Sequence, residues 1–154
     1  MSVLKHELRV AGHLSDLPLV MDFVAEMCHQ AGVASPAAFD LQLATEEACS
    51  NVIQHAYGGA GGEFTVSFEV RGPDVAIIVR DRGRRFDPDA IPEPDVTVPL
   101  EERPVGGLGL YLMRQSVDEV RFDFSAENGN TLVMVKHNVA TISPALEPAE
   151  QDDA

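Results

Sequence analysis

The first residues with evident chemical capacity are Glu47, Asn51 and His55, spaced four apart. On a helix that spacing lines them along one flank, one turn from each other. A carboxylate in such a row can take a proton from an attacking hydroxyl or water. An amide oxygen one turn on is a neutral, hard ligand suited to Mg²⁺ beside phosphate oxygens. Alone, the row equally describes an ordinary polar helix flank. Glu46 points about a quarter-turn away and reads as solvated. His55, near the helix end, reads as a structural hydrogen-bonder.

A second pattern, Asp81-x-Gly83-x-x-Phe86-Asp87, follows the apolar run Val75–Val79. A carboxylate at the end of a buried strand can accept from the exocyclic amine of adenine. Guanine presents an acceptor there and is disfavoured. Gly83 permits a tight turn and a close ligand approach. A strand that merely ends in an Asp-x-Gly turn fits the same letters. The third pattern, Gly106-Gly107-Leu108-Gly109, opens a helical segment. Free N–H groups at a helix start, with no Cβ in the way, bind phosphate; a simple hinge is the alternative. No Lys-Ser/Thr follows, so this is not a Walker loop, and the third glycine of the dinucleotide fingerprint is missing.

The elements that must position these residues can be read from periodicity. Residues 3–10 alternate as a strand. Ser15 or Asp16 can cap a helix running to about Gln30, with Gly32 past its end. Ser35-Pro36 starts a second helix, Ser as N-cap and Pro at the first helical position. It runs to about Tyr57 before Gly58, Gly59, Gly61 and Gly62. Leu41, Ala44, Ala48, Val52 and Ala56 form its apolar stripe. Residues 63–71 and Val75–Arg80 form a hairpin about Gly72-Pro73-Asp74. Regularity fails from about Arg82 to Val105, where five of the ten prolines fall; such a long irregular stretch reads as a lid or binding loop. Leu108–Val117 is a third helix. Glu119–Phe124 and Thr131–His137 form a second hairpin about a Glu-Asn-Gly-Asn turn. The order β, α, α, β, β, lid, α, β, β predicts an α+β two-layer sandwich, a mainly antiparallel sheet with helices on one face. A domain over 1–140 and a disordered acidic tail over 141–154 are expected.

Composition narrows the function. The 154 residues suffice for one domain with a real core. A net charge of −14 argues against nucleic-acid binding, and requires local positive potential for any acidic ligand. Four of the eleven basic residues, Arg80, Arg82, Arg84 and Arg85, cluster beside the second pattern. They read either as a solvated loop or as a local attractor for a polyphosphate or an acidic partner. No apolar run approaches the roughly 20 residues of a membrane span, no export signal is recognisable, and the cytoplasm is the expected compartment. Cys28 and Cys49 lack metal or redox spacing and read as buried, reduced thiols.

Taken together and in order, the three patterns resemble the N, G1 and G2 boxes of the GHKL ATPases, the superfamily of gyrase, histidine kinases and mismatch-repair ATPases. Within it the chain is most similar to the bacterial anti-sigma factor serine kinases. The likeness rests on the segment from Glu46 to Tyr57, on Asp81-Arg-Gly83-Arg-Arg-Phe86-Asp87-Pro88, on the segment from Gly106 to Met113, and on Gly129-Asn-Thr131-Leu132. The resemblance implies a GHKL (Bergerat) sandwich that binds ATP and Mg²⁺. It implies Glu47 as general base and Asn51 as Mg²⁺ ligand. Asp81 would hold the adenine amine, with Gly83 beside the base, Phe86 at the lid's start, and Thr131 in the adenine-side hydrogen bonds. Gly106, Gly107, Leu108 and Gly109 would hold the phosphates. Residues 88–106 would be the ATP lid, with Arg103 a candidate phosphate contact. It further implies a homodimer that sequesters a sigma factor and phosphorylates a serine on an anti-sigma factor antagonist. The competing reading is a non-catalytic ATP-binding switch, which has no need of the base Glu47.

Overall fold

A computed structural model describes residues 4–57, 61–84, 108–125 and 129–141; the side chains of His55, Leu108 and Ser125 are not described. Two strands form the centre of the protein. β2 (Phe64–Arg71) and β3 (Asp74–Asp81) pair antiparallel around the Gly72-Pro73 turn, where Gly72 takes a φ of 61°. β1 (Lys5–Val10) adds to β2; β5 (Gly129–Lys136) adds to β3, and β4 (Glu119–Ser125) to β5. The result is a five-stranded, wholly antiparallel sheet in the order β1-β2-β3-β5-β4. This is the expected α+β sandwich.

Strand alternation divides the side chains between two faces. Phe64, Val66 and Phe68 of β2, Ile77 and Val79 of β3, and Leu132 and Met134 of β5 face the core with the helices. Ser67, Glu69, Arg80 and Arg121 belong to the opposite face, where Ala76, Ile78 and Val135 form a small separate cluster. Each large apolar side chain fully buried in the core contributes roughly 1.5–3 kcal/mol.

Among the described residues, three helices cover the inner face. α1 (Leu17–Gln30) buries Val20, Val24, Met27 and Cys28. It follows a short 3₁₀ turn, Leu14–Asp16. Asp16 does not cap α1 by its side chain; its carboxylate accepts from the His13 N–H at 3.0 Å and closes the preceding turn instead. α2 (Ser35–Asn51) begins one residue earlier than expected, with Ala34 as the extended N-cap residue and Ser35 already helical. Its stripe Leu41, Ala44 and Ala48 is buried, with Val52 and Ile53 beyond it. α3 (Leu108–Ser116) packs on α2 and buries Leu110 and Met113. Lys136 ties these layers: its ammonium donates to Ser116 O at 2.8 Å and lies 3.3 Å from the Asp40 carboxylate.

The α-helix expected to reach Tyr57 changes character at Asn51. Val52–Ala56 is a π turn, closed by Tyr57 N–H donating to Val52 O at 3.1 Å. Such insertions cluster at functional sites because they re-aim the residues around them. Beyond β5 the chain folds back, and Thr141 donates through its N–H to Ala31 O and through its hydroxyl to Gly32 O. Cys28 and Cys49 are free and buried, as expected. Burial pushes the Cys28 thiol up to about 12 and that of Cys49 higher still, so both are inert thiols. Among the described residues no helix is long and apolar enough to cross a membrane.

Candidate functional site

The site lies where the end of β3, the end of α2 and the start of β5 converge. Asp81 is the last residue of β3 and faces inward, so its carboxylate is buried at the end of the central strand. Oδ1 accepts from the Gly83 N–H at 2.8 Å, the bond that shapes the Asp-x-Gly turn. The same oxygen accepts from Asn130 Nδ2 at 2.9 Å, and that nitrogen also donates to Gly83 O at 3.1 Å.

The turn is held against α2 by the π segment. Gly83 lies so close to Ala56 that an added Cβ would sit 2.5 Å from its carbonyl oxygen. The Arg84 N–H donates to that oxygen at 2.7 Å. Tyr57 closes the other side. Its hydroxyl accepts from the Arg82 N–H at 2.9 Å and donates to Glu63 O at 2.8 Å. The close approach that requires Gly83 is therefore to the protein's own backbone.

Asp81 opens onto a pocket whose walls include Asn51, Val52, Ala56, Val79, Arg84, Phe122, Phe124, Asn130 and Leu132. The unfilled space of the pocket, counted out to its open mouth, is about 400 Å³. Phe122 and Phe124, with ring centroids 5.9 Å apart and planes 23° apart, give the pocket an aromatic wall. Asn51 and Asp81, far apart in sequence, thus reach one pocket.

Glu47 lies one helical turn before Asn51 and is half-buried. Its carboxylate rests on Gly109 in the first turn of α3, and a Cβ there would collide with Oε1. Burial raises the Glu47 pKa, and the neighbouring Glu46 charge raises it further. A carboxylate so placed, short of hydration and carrying no hydrogen bond among the described residues, is a stronger base than an exposed one.

Phe86, Gly106, Gly107, Arg85, Arg103 and the expected lid over 88–106 lie outside the described residues. Leu108 opens α3 and Gly109 follows it. Thr131 contributes to the pocket wall, but its register partners Arg80 and Asp123 put its side chain on the opposite face of the sheet from Asp81. The side chain that meets Asp81 is that of Asn130. Sequence reasoning missed it, although counting the β3–β5 register from the Asn-Gly turn would have found it. The Asp-x-Gly turn that follows β3 divides the described arginines of the cluster. Arg84 lines the pocket, whereas Arg80 and Arg82 join Arg9 in a separate open groove. Only part of the cluster can therefore act on a pocket ligand.

Comparison with known proteins agrees with this geometry. The histidine kinase-like ATPase domain family matches residues 10–136. The serine-protein kinase RsbW of Bacillus cereus (strain ATCC 10987) is 29% identical over 137 residues, spanning 86% of this chain and 84% of its own. Its namesake in Bacillus mycoides (strain KBAB4) is 28% identical over the same length. Among solved structures, the RsbU and RsbW domains of a Mycobacterium tuberculosis protein match with a TM-score of 0.64 at 18% identity, a likeness of fold. That match covers 91% of this chain, which spans about a third (34%) of the larger protein.

Proposed function

The chain belongs to the histidine kinase-like ATPase domain family, and from that premise we propose that it is an ATP-dependent protein serine kinase. Its substrate would be a serine on an anti-sigma factor antagonist, and it would also sequester a sigma factor. The similarity to serine-protein kinases named RsbW supports the reaction class. The observation that carries the reading is Glu47: a half-buried carboxylate with a raised pKa, seated on the first turn of α3, one helical turn from Asn51.

In this reading Asp81 and the aromatic wall receive the adenine, and the N–H groups at the start of α3 meet the phosphates. The residues present fit Mg²⁺: Asn51 offers a neutral oxygen at the pocket, with the remaining ligands left to phosphate and water. Bound there, Mg²⁺ supplies charge neutralisation of the phosphates. Glu47 accepts the serine proton as the hydroxyl oxygen attacks the γ-phosphorus, the bond from that phosphorus to the β,γ-bridging oxygen breaks, and ADP leaves. The protein otherwise positions the reactants and screens charge, as phosphoryl transfer requires. A homodimer in the cytoplasm completes the proposal.

The test is transfer of labelled phosphate from ATP to a candidate antagonist, using wild type and Glu47→Ala. The expected result is phosphoserine formation by wild type that falls at least about 10²-fold in the variant, with ATP still bound. ATP binding without transfer to any antagonist would replace the kinase by a binding switch.

A further inference from the structure

Asn130 is the register partner of Asp81 across β3 and β5, so both side chains leave the sheet on the same face at the same level. The amide nitrogen of Asn130 bridges Asp81 Oδ1 and Gly83 O. Both are acceptors facing that atom, so the nitrogen, and not the oxygen, must point at them. The Gly83 N–H supplies a second donor to the same Oδ1. One oxygen of the carboxylate is thus held from two directions, by its own turn and by the neighbouring strand. The other, Oδ2, has no hydrogen bond among the described residues. No buried side-chain oxygen or nitrogen among them lacks a partner, so Oδ2 is accessible from outside, and Asp81 lines the pocket. Turning the carboxylate would break both bonds to Oδ1.

We propose that Asn130 is a positioning residue that sets the base preference of the site. It pins Oδ1 of Asp81 so that Oδ2 is presented as a fixed acceptor for the 6-amino group of a purine. This rests on the reading of the pocket as a nucleotide site. Without Asn130 the carboxylate keeps only its local bond to Gly83 and samples orientations in which Oδ2 no longer meets the amine. The effect therefore falls on ligands that carry the amine and spares those that lack it.

Calorimetric titration of the full chain with ATP and with purine riboside 5′-triphosphate, which lacks only the 6-amino group, tests this. Wild type should prefer ATP. Asn130→Ala should weaken ATP roughly tenfold and leave the analogue unchanged. Asn130→Ser, a milder change that keeps a donor, should give an intermediate ratio, and it carries the test if the alanine variant does not fold. Equal weakening of both nucleotides, or an unchanged ratio, would overturn the clamp while leaving the nucleotide site standing. A wild-type chain that binds neither would overturn the nucleotide reading and the clamp with it.

Discussion

Gly109→Ala separates the placement of Glu47 from the stability of the fold. Among the described residues, the added Cβ would collide with Oε1 of Glu47 and with little else. Because the obstacle is the end of a flexible side chain, the helices need not part; the carboxylate moves. To regain ordinary van der Waals separation it must shift by about 1 Å, a displacement that can cost on the order of 10²-fold in rate. That loss corresponds to about 2.7 kcal/mol of transition-state stabilisation. Stability should move the other way or not at all. Alanine is favoured over glycine by up to ~1 kcal/mol inside a helix, and by less in a first turn. Thermal unfolding should thus give a melting temperature at or slightly above wild type. Single-turnover transfer at saturating ATP should drop by about two orders of magnitude, with ATP affinity held. A transfer rate within about threefold of wild type would refute the reasoning, since it would mean the carboxylate position is immaterial. A parallel loss of ATP affinity would refute it too, because the added Cβ would then obstruct the nucleotide rather than move the carboxylate.

Glu47→Gln should stabilise the protein near neutral pH. Burial raises the Glu47 pKa in the folded state, so its favourable contribution is complete below the unfolded value of 4.5 and is lost as pH rises through the folded one. Melting temperatures of variant and wild type should converge at about pH 4 and separate by pH 7–8; a constant difference would contradict the assignment. Gly83→Ala should destabilise by about 1–3 kcal/mol in denaturant titration, because the Cβ would sit 2.5 Å from the Ala56 carbonyl oxygen, which is backbone and cannot swing away. A change below about 0.5 kcal/mol would show that the turn has room to shift. His137 lies 3.2 Å from Asp74 and 2.9 Å from Glu119, and its pKa is raised chiefly by the hydrogen bond to Asp74. Its stabilisation is complete below 6.5 and fades as pH rises through the folded value. The melting temperature should therefore fall between about pH 6 and 9 in wild type, and less in His137→Gln; parallel curves would sink the idea.

The strands and helices were largely legible because their signals are local. β2 alternates and β3 is a continuous apolar run on either side of a Gly-Pro turn, and α2 repeats small apolar residues at helical spacing. The errors fall where a local signal met a tertiary demand. Ser35 looked like an N-cap, but Ala34 takes that place. Asp16 spends its carboxylate on His13 rather than on α1. No propensity marks Val52–Ala56 as a π turn. The inserted residue is held by contacts that Ala56 and Tyr57 make with a turn twenty-five or more residues later in sequence. Thr131 was placed by similarity of letters, whereas the register of β5 on β3 puts Asn130 beside Asp81.

Residue chemistry and short-range spacing were enough to single out Glu47, Asn51, Asp81 and the glycines before α3, because a helix turn and a strand end have the same geometry wherever they occur. Which of these groups face one another is a property of long-range packing. The seat of Glu47 on Gly109 depends on the docking of α3 against α2. The clamp on Asp81 depends on strand register, and the division of the arginines between two grooves on the turn that follows β3. Burial, which raises the Glu47 pKa, exists only once those layers have closed around it. The motifs name candidate residues; the assembled sheet and helices decide which of their atoms meet.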